Sequence, residues 1–360
     1  MRILVGMMHP KHVYMFKNFI HAMQSKGHKV EIVAIEKDVT VALLKKFGLP
    51  FKIIGKNPST ISGKILSLPQ WTYQTFKIAR RFKPDIFIGQ AFPHFAYTSK
   101  LLNKPYIIFE DTESAQVVQS ITFPFASNII TPSCYRKDLG NKHIKFDGYY
   151  ELAYLHPNYF TPNVAVLKEL GISPGDIFIV VRFVSWQAIH DIGHHGIRDK
   201  IGFVKSLEPY CRVLITSEET LPKELEKFRI TISPNKLHDL LYYASVYIGE
   251  GGTTASEAAI LGTPSIFISS LTGTLGNFVE LETKYQILYS FENAKNAFCK
   301  AIELLQQSNI KEEWETKRMR LINDNVDITK IMIWFVEKYP ENKAFLKNNP
   351  NIHNFSFEDT

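Results

Sequence analysis

The stretch that most constrains this chain is residues 246–268, Val-Tyr-Ile-Gly-Glu-Gly-Gly-Thr-Thr-Ala-Ser-Glu-Ala-Ala-Ile-Leu-Gly-Thr-Pro-Ser-Ile-Phe-Ile. A short apolar run at 246–248 is broken by Gly249, Gly251 and Gly252. Residues 253–261 are good helix formers, and they stop at Gly262-Thr263-Pro264 before a second apolar run. The pattern predicts strand, glycine bend, helix and strand in succession.

A bend without side chains at Gly251 and Gly252 lets an anion approach the backbone, where amide groups and the positive end of the helix dipole favour negative charge. Thr253 and Thr254 are placed to cap the helix with their hydroxyls. Phosphate is the natural guest. Glu257 follows about one turn later, where a carboxylate can accept two hydroxyl hydrogen bonds such as a ribose diol offers. Two glycines alone can be nothing more than a tight turn. Glu257, however, stands in a helix of otherwise small and apolar residues, where a carboxylate needs a partner. Phosphate and ribose together mean a nucleotide.

At 360 residues the chain exceeds one ordinary core, so two domains are expected. Apolar residues at 45% and charged residues at 21% describe a globular protein and exclude a disordered one. Cys134, Cys211 and Cys299 are odd in number and scattered, which argues against a disulfide framework and for a reducing compartment. The first ten residues read as a strand rather than a signal peptide. No apolar stretch approaches the roughly 18 residues of a spanning helix, so a cytoplasmic location is expected. The net charge of +7 suits an anionic ligand or the anionic inner face of a membrane, to which the protein would bind peripherally, and equally a basic exterior with no specific partner. With no module signature or basic repeat, nucleic acid is not expected as a partner.

Along the chain, short apolar runs alternate with helical patterns. Residues 2–6, 29–35, 51–54, 85–88, 106–110, 128–131 and 144–146 read as strands of a first domain, 1–150. Aromatics and prolines mark 151–166 as a connector. A second alternating set, 177–184, 212–216, 230–232, 246–248, 265–268 and 287–289, makes a second domain, 167–309. The helical pattern over 310–339 can return to the first domain, and 340–360 reads as a peripheral tail. Alternation of this kind predicts an α/β fold of two doubly wound parallel sheets. The spaced-glycine dinucleotide fingerprint is missing after the first strand, which holds only Gly6, so nicotinamide binding is not expected.

In such sheets the ligand lies outside the carboxyl ends of the strands. The candidates in the first domain are therefore His9, Lys11 and His12, then Gln90 and His94, then Glu110, Asp111, Thr112 and Glu113. Carboxylates this close raise at least one pKa, which suits a general base, with Glu110 preferred and Asp111 beside it. Helix capping by Asp111 or Thr112 is the simpler alternative. In the second domain Arg182 stands within an apolar strand, where a guanidinium needs an anion and can reach a diphosphate. The following loop, with His190, Asp191, His194 and His195, invites a metal reading. It lacks the helical His-Glu-x-x-His pattern and paired cysteines, so no metal is expected, and the loop is read as closing over a ligand with His190 or Asp191 making polar contacts to it. The helix over 63–82 ends in Lys77, Arg80, Arg81 and Lys83, ordinarily a solvated end and alternatively an anionic-lipid contact.

The run from Gly249 to Pro264 resembles the donor-binding segment of the GT-B superfamily, two facing Rossmann-like domains that use nucleotide-sugar donors. It is similar in particular to the non-hydrolysing UDP-N-acetylglucosamine 2-epimerases and the MurG-like transferases. The full length, including Met-Arg-Ile-Leu-Val at the start and Arg182-Phe-Val-Ser-Trp-Gln with His190-Asp-Ile-Gly, also resembles a prokaryotic family of unknown function. The resemblance implies that Gly251-Gly252 holds diphosphate and Glu257 ribose, with Glu110 and, more loosely, Arg182 at matching positions. The chain departs from the epimerase pattern at His9-Pro10-Lys11-His12, where Arg-Pro-Glu would stand, and it lacks the first glycine loop of the MurG-like enzymes. Glu250 and Glu257 have six residues between them, one short of the spacing in retaining transferases.

These readings lead to an expected nucleotide-sugar-dependent glycosyltransferase of envelope or surface glycan synthesis, with a UDP-linked sugar as substrate, a glycan or lipid-linked acceptor and no cofactor. Arg182, Gly251, Gly252, Thr253, Thr254, Glu257 and His190 would hold the donor, and Glu110, Asp111 and His9 would do the chemistry. A sugar 2-epimerase and a non-catalytic nucleotide-sugar-binding subunit are the alternatives.

Overall fold

The computed structural model describes residues 1–184, 196–217, 220–270 and 272–342, and the backbone of 351–352. The chain divides into two units, Met1–Tyr159 with the segment from Asn325 onward, and Phe160–Asp324.

Unit 1 begins β1 (Arg2–Met7), α1 (Pro10–Ser25), β2 (Lys29–Glu36), α2 (Thr40–Lys46) and β3 (Phe51–Lys56). It continues through α3 (Ile61–Phe82), β4 (Ile86–Gly89), α4 (Pro93–Leu101), β5 (Tyr106–Phe109), α5 (Gln116–Thr122), β6 (Asn128–Pro132), β7 (His143–Phe146) and α6 (Leu152–Leu155). Its central strands are apolar throughout because helices cover both faces of a parallel sheet. Leu4, Val33, Phe87, Phe95, Tyr106, Ile108 and Ile129 form one buried cluster on it.

Unit 2 holds α7 (Ala165–Glu169), β8 (Phe178–Phe183), α8 (Lys200–Leu207), β9 (Arg212–Ser217), α9 (Leu237–Tyr243), β10 (Val246–Gly249), α10 (Gly252–Ile260) and β11 (Ser265–Ile268). It is completed by α11 (Gly276–Thr283), β12 (Leu288–Phe291), α12 (Ala294–Leu305) and α13 (Ile310–Asp324). Its sheet runs β12-β11-β10-β8-β9, all parallel. The strand expected over 230–232 does not form. Arg229 makes a single bridge to Ile215, and a 3-10 turn opened by Pro234 then takes the chain away from the sheet edge.

The last helix among the described residues, α14 (Ile328–Glu337), belongs to unit 1 and packs on α1 and α6. Asp327 caps it by accepting from the Thr329 and Lys330 amides. Beyond it β13 (Asn351–Ile352) pairs with β7, so the unit 1 sheet runs β13-β7-β6-β5-β4-β1-β2-β3. The stretch read as a connector is therefore divided, because α6 is buried on unit 1 while residues from Phe160 belong to unit 2. Strand order reverses direction between β1 and β4 in unit 1 and between β8 and β10 in unit 2, and these switch points are where open α/β sheets bind ligands.

Candidate functional site

At the unit 2 switch point, β10 gives way to Glu250 and Gly251, and α10 starts at Gly252. Gly251 is the N-cap residue and supplies no side-chain cap. The first intrahelical bond runs from the Ala255 amide to the Gly251 carbonyl, so the amides of Gly252, Thr253 and Thr254 precede it and point out of the helix end. Thr253 and Thr254 do not cap, contrary to expectation, because the helix begins earlier than the hydroxyl pattern suggested and leaves them inside its first turn. The bend is half-exposed. A Cβ at Gly251 would lie 3.0 Å from Val184 Cγ1 and 4.0 Å from Arg182 Nε. The register that opposes Arg182 to Gly249 thus brings the guanidinium beside the glycine bend. Arg182 is half-buried, and its Nη1 lies 3.5 Å from Thr216 Oγ1 on β9.

Glu257 is buried, with its Oε1 3.1 Å from His238 Nε2 on α9. A histidine of the fold thus stands beside the carboxylate for which a ligand is the expected partner. Glu250 carries a role the sequence did not reveal. Its Oε2 accepts from the Val184 amide at 3.1 Å and its Oε1 from the Ile197 amide at 2.7 Å, so one buried carboxylate fastens both stems of the segment between them. Gly196 leaves room for it, since a Cβ there would collide with the carboxylate. His190, Asp191, His194 and His195 lie outside the described residues.

At the unit 1 switch point, His9 caps α1, its Nδ1 accepting from the Lys11 amide at 3.2 Å. His12 is buried one turn on. Its Nδ1 accepts from the Met8 amide at 3.0 Å, which puts the ring proton of the neutral form on Nε2, and this donates to Gln90 Oε1 at 2.8 Å. Burial is the main cause that lowers its pKa to about 4. Gln90 Nε2 lies 3.4 Å from Asp111 Oδ1, and Lys11 Nζ donates to Asp111 and, at 3.0 Å, to Glu151 Oε1. Burial works against the Lys11 ammonium, but the two carboxylates more than offset it and hold its pKa above the usual value.

Glu110 is buried at the end of β5. Its Oε2 accepts from the Ala91 amide at 3.2 Å, and its Oε1 from the Asp111 and Thr112 amides at 3.1 and 2.9 Å. Burial first, then the Asp111 charge, raise its pKa to about 7 against these three donors. Neither Asp111 nor Thr112 caps the following helix, whose N-cap is Ala115. Glu113 is buried and accepts from the Arg136 amide. His94, also buried, stacks on Phe92, and burial lowers its pKa to about 3. Structure thus gathers Lys11, His12, Gln90, Glu110, Asp111 and the unforeseen Glu151 in unit 1, and Arg182, Gly251 and Gly252 in unit 2.

The family model described as protein of unknown function DUF354 matches residues 1–340. The chain belongs to the DUF354 family. Over 73% of its length it is 25% identical to the uncharacterized protein MJ0665 of Methanocaldococcus jannaschii, 80% of which is covered. Among solved structures this DUF354 chain is similar to S. aureus MnaA in its UDP co-structure, with a TM-score of 0.68 at 12% identity over 99% of this chain and 100% of that one. It is also similar to the UDP-GlcNAc 2-epimerase of Neisseria meningitidis bound to UDP-GlcNAc, with a TM-score of 0.65 at 12% identity over 94% and 100% of the two chains. The glycosyltransferase SnogD of Streptomyces nogalater gives 0.64 at 15% identity over 94% and 99%. These likenesses show the fold of the DUF354 chain, two parallel α/β units of GT-B type.

Proposed function

We propose that this DUF354 protein is a nucleotide-sugar-dependent glycosyltransferase of envelope or surface glycan synthesis. One observation carries the reading: the Arg182 side chain approaches the Gly251 bend at the N-terminus of α10, so a guanidinium and outward-pointing amides converge on one spot. A diphosphate fits that combination of fixed positive charge and unencumbered backbone. Glu257, which lies 3.1 Å from His238, is assigned to the ribose hydroxyls. Basic groups and the helix end would stabilise the leaving diphosphate without requiring metal. In unit 1, Glu110 is assigned the base, since a pKa near 7 suits proton transfer at neutral pH. Asp111 and Lys11 hold its surroundings, and His9 serves as the cap of α1.

The same near-neutral carboxyl supports a second reading, a sugar 2-epimerase that abstracts a proton from the donor itself. A thermal-shift screen against UDP- and dTDP-sugars tests the common ground. A ligand at a hundred times its dissociation constant adds about 2.7 kcal/mol of stability, and no shift with any of them would overturn both readings. Incubation with UDP-GlcNAc alone separates them, because only an epimerase alters it without an acceptor.

A further inference from the structure

Unit 1 carries a surface that neither site uses. Along α3, Ile61, Ile65, Leu66 and Tyr73 are 42%, 66%, 79% and 62% exposed, and Pro69 between them is exposed too. Trp71, Thr75 and Ala79, at steps of four, are the buried face of this helix, which packs on β3 and α4. Ile65, Pro69, Tyr73 and Lys77 repeat at the same step on a nearly opposite face. That stripe is apolar over its first turns and basic over its last, where Lys77, Arg80 and Arg81 are exposed and Lys83 follows. Among the described carboxylates none forms an ion pair with these four residues.

Charge around α3 is equally one-sided. Between Asp38 and Glu110 the sequence holds eleven lysines and arginines and a single acidic residue, Asp85. The whole chain is only +7, so this segment holds the entire excess and the remainder is net acidic. A second copy of the chain docking here by two-fold symmetry would bring two such basic segments into one interface, with Asp85 the single acidic residue of each to offset them. An anionic lipid surface matches both halves of the stripe.

We propose that α3 lies flat on an anionic bilayer, Ile65, Leu66 and Tyr73 entering the headgroup layer and Lys77, Arg80 and Arg81 pairing with lipid phosphates. The helix has 22 residues, about 33 Å at 1.5 Å per residue. Fixed to the sheet by Trp71, it docks in the membrane plane. No helix among the described residues is long and apolar enough to cross a membrane, so attachment by this face is interfacial and reversible. The inference is independent of the nucleotide-sugar reading.

Co-sedimentation of the full chain with vesicles of phosphatidylcholine, with and without phosphatidylglycerol, tests it. The protein should pellet at least about tenfold more readily with the anionic vesicles, and raised salt should release it. I65D/L66D should abolish pelleting while leaving circular dichroism and the melting temperature unchanged. K77Q/R80Q/R81Q should remove the preference for phosphatidylglycerol. The proposal is overturned if wild-type protein ignores anionic vesicles at low salt or if both variants pellet as the wild type does. It is equally overturned if the chain is a dimer in solution that I65D/L66D converts to monomer, which would make the face a homotypic interface.

Discussion

The Lys11 ammonium lies 3.0 Å from the Glu151 carboxylate, although 140 residues separate them in the chain. Asp111 contacts the same ammonium, so one cation holds a buried and a half-buried carboxylate where the start of α1, the end of β5 and the chain before α6 converge. Removing the cation leaves uncompensated charge. K11M should therefore lower unfolding free energy by about 3–5 kcal/mol in urea titrations, and pairing it with E151Q should restore part of the loss. An unchanged midpoint for K11M would show that the ion pairs contribute nothing.

Three buried groups in unit 1 set an acid dependence. His12 and His94 have folded pKa values of about 4 and about 3 against 6.5 unfolded. Below 6.5 the unfolded chain takes up protons that the native one refuses, so stability is complete above 6.5 and lost as pH falls, at about 1.4 kcal/mol per pH unit for each histidine. Glu110, raised from 4.5 to about 7, acts in the opposite sense, its contribution being present below 4.5 and lost as pH rises through 7. It cancels roughly one histidine. Urea midpoints between about pH 7 and about pH 5 should fall in the wild type and stay nearly level in H94L.

Glu250→Ala would strip the acceptor from one buried amide, that of Ile197, and one half-buried amide, that of Val184. A cost of about 1–3 kcal/mol for each unsatisfied donor is expected. Hydrogen exchange should quicken at the Val184 and Ile197 amides, while Glu250→Gln, which keeps one acceptor, should give an intermediate rate. Equal exchange in all three proteins would refute the clamp.

Binding of UDP, followed by calorimetry, addresses the unit 2 assignment. Glu257→Ala should weaken it by about 1.5–3 kcal/mol, the scale of a hydrogen bond to a charged group. Gly251→Val should abolish it, since the new side chain fills the bend, and should lower the melting temperature as well because it presses on Val184. Unaltered affinity in both variants would place the nucleotide elsewhere.

The doubly wound pattern and the glycine bend were legible because both are written in local sequence, as apolar runs of strand length and as residues without side chains. The strand at 230–232 was misread for the same reason: three apolar-leaning residues look like a strand whatever the following proline does. The partners of the candidate residues were not legible. Glu151 meets Lys11, His238 meets Glu257, and Glu250 meets two amides only through tertiary packing across long sequence separations. A faint signal did exist for Glu151 and Glu250, ionisable side chains within an apolar and a glycine-rich stretch, where burial demands a partner; His238, flanked by Lys236 and Asp239, gave none.

The placement of α14 has a consequence for synthesis. Asn18 and Thr329 both donate to the Ala153 carbonyl, at 2.7 and 3.1 Å, and Glu337 reaches Lys26 and His28 at the far end of α1. The outer side of α1 is thus roofed by a helix that is synthesised only after the whole of 160–324. Until then an apolar flank stays wet, while Phe160–Asp324, an uninterrupted stretch, has every residue it needs to condense. The order of birth and the order of completion are reversed: the half that emerges second can finish first.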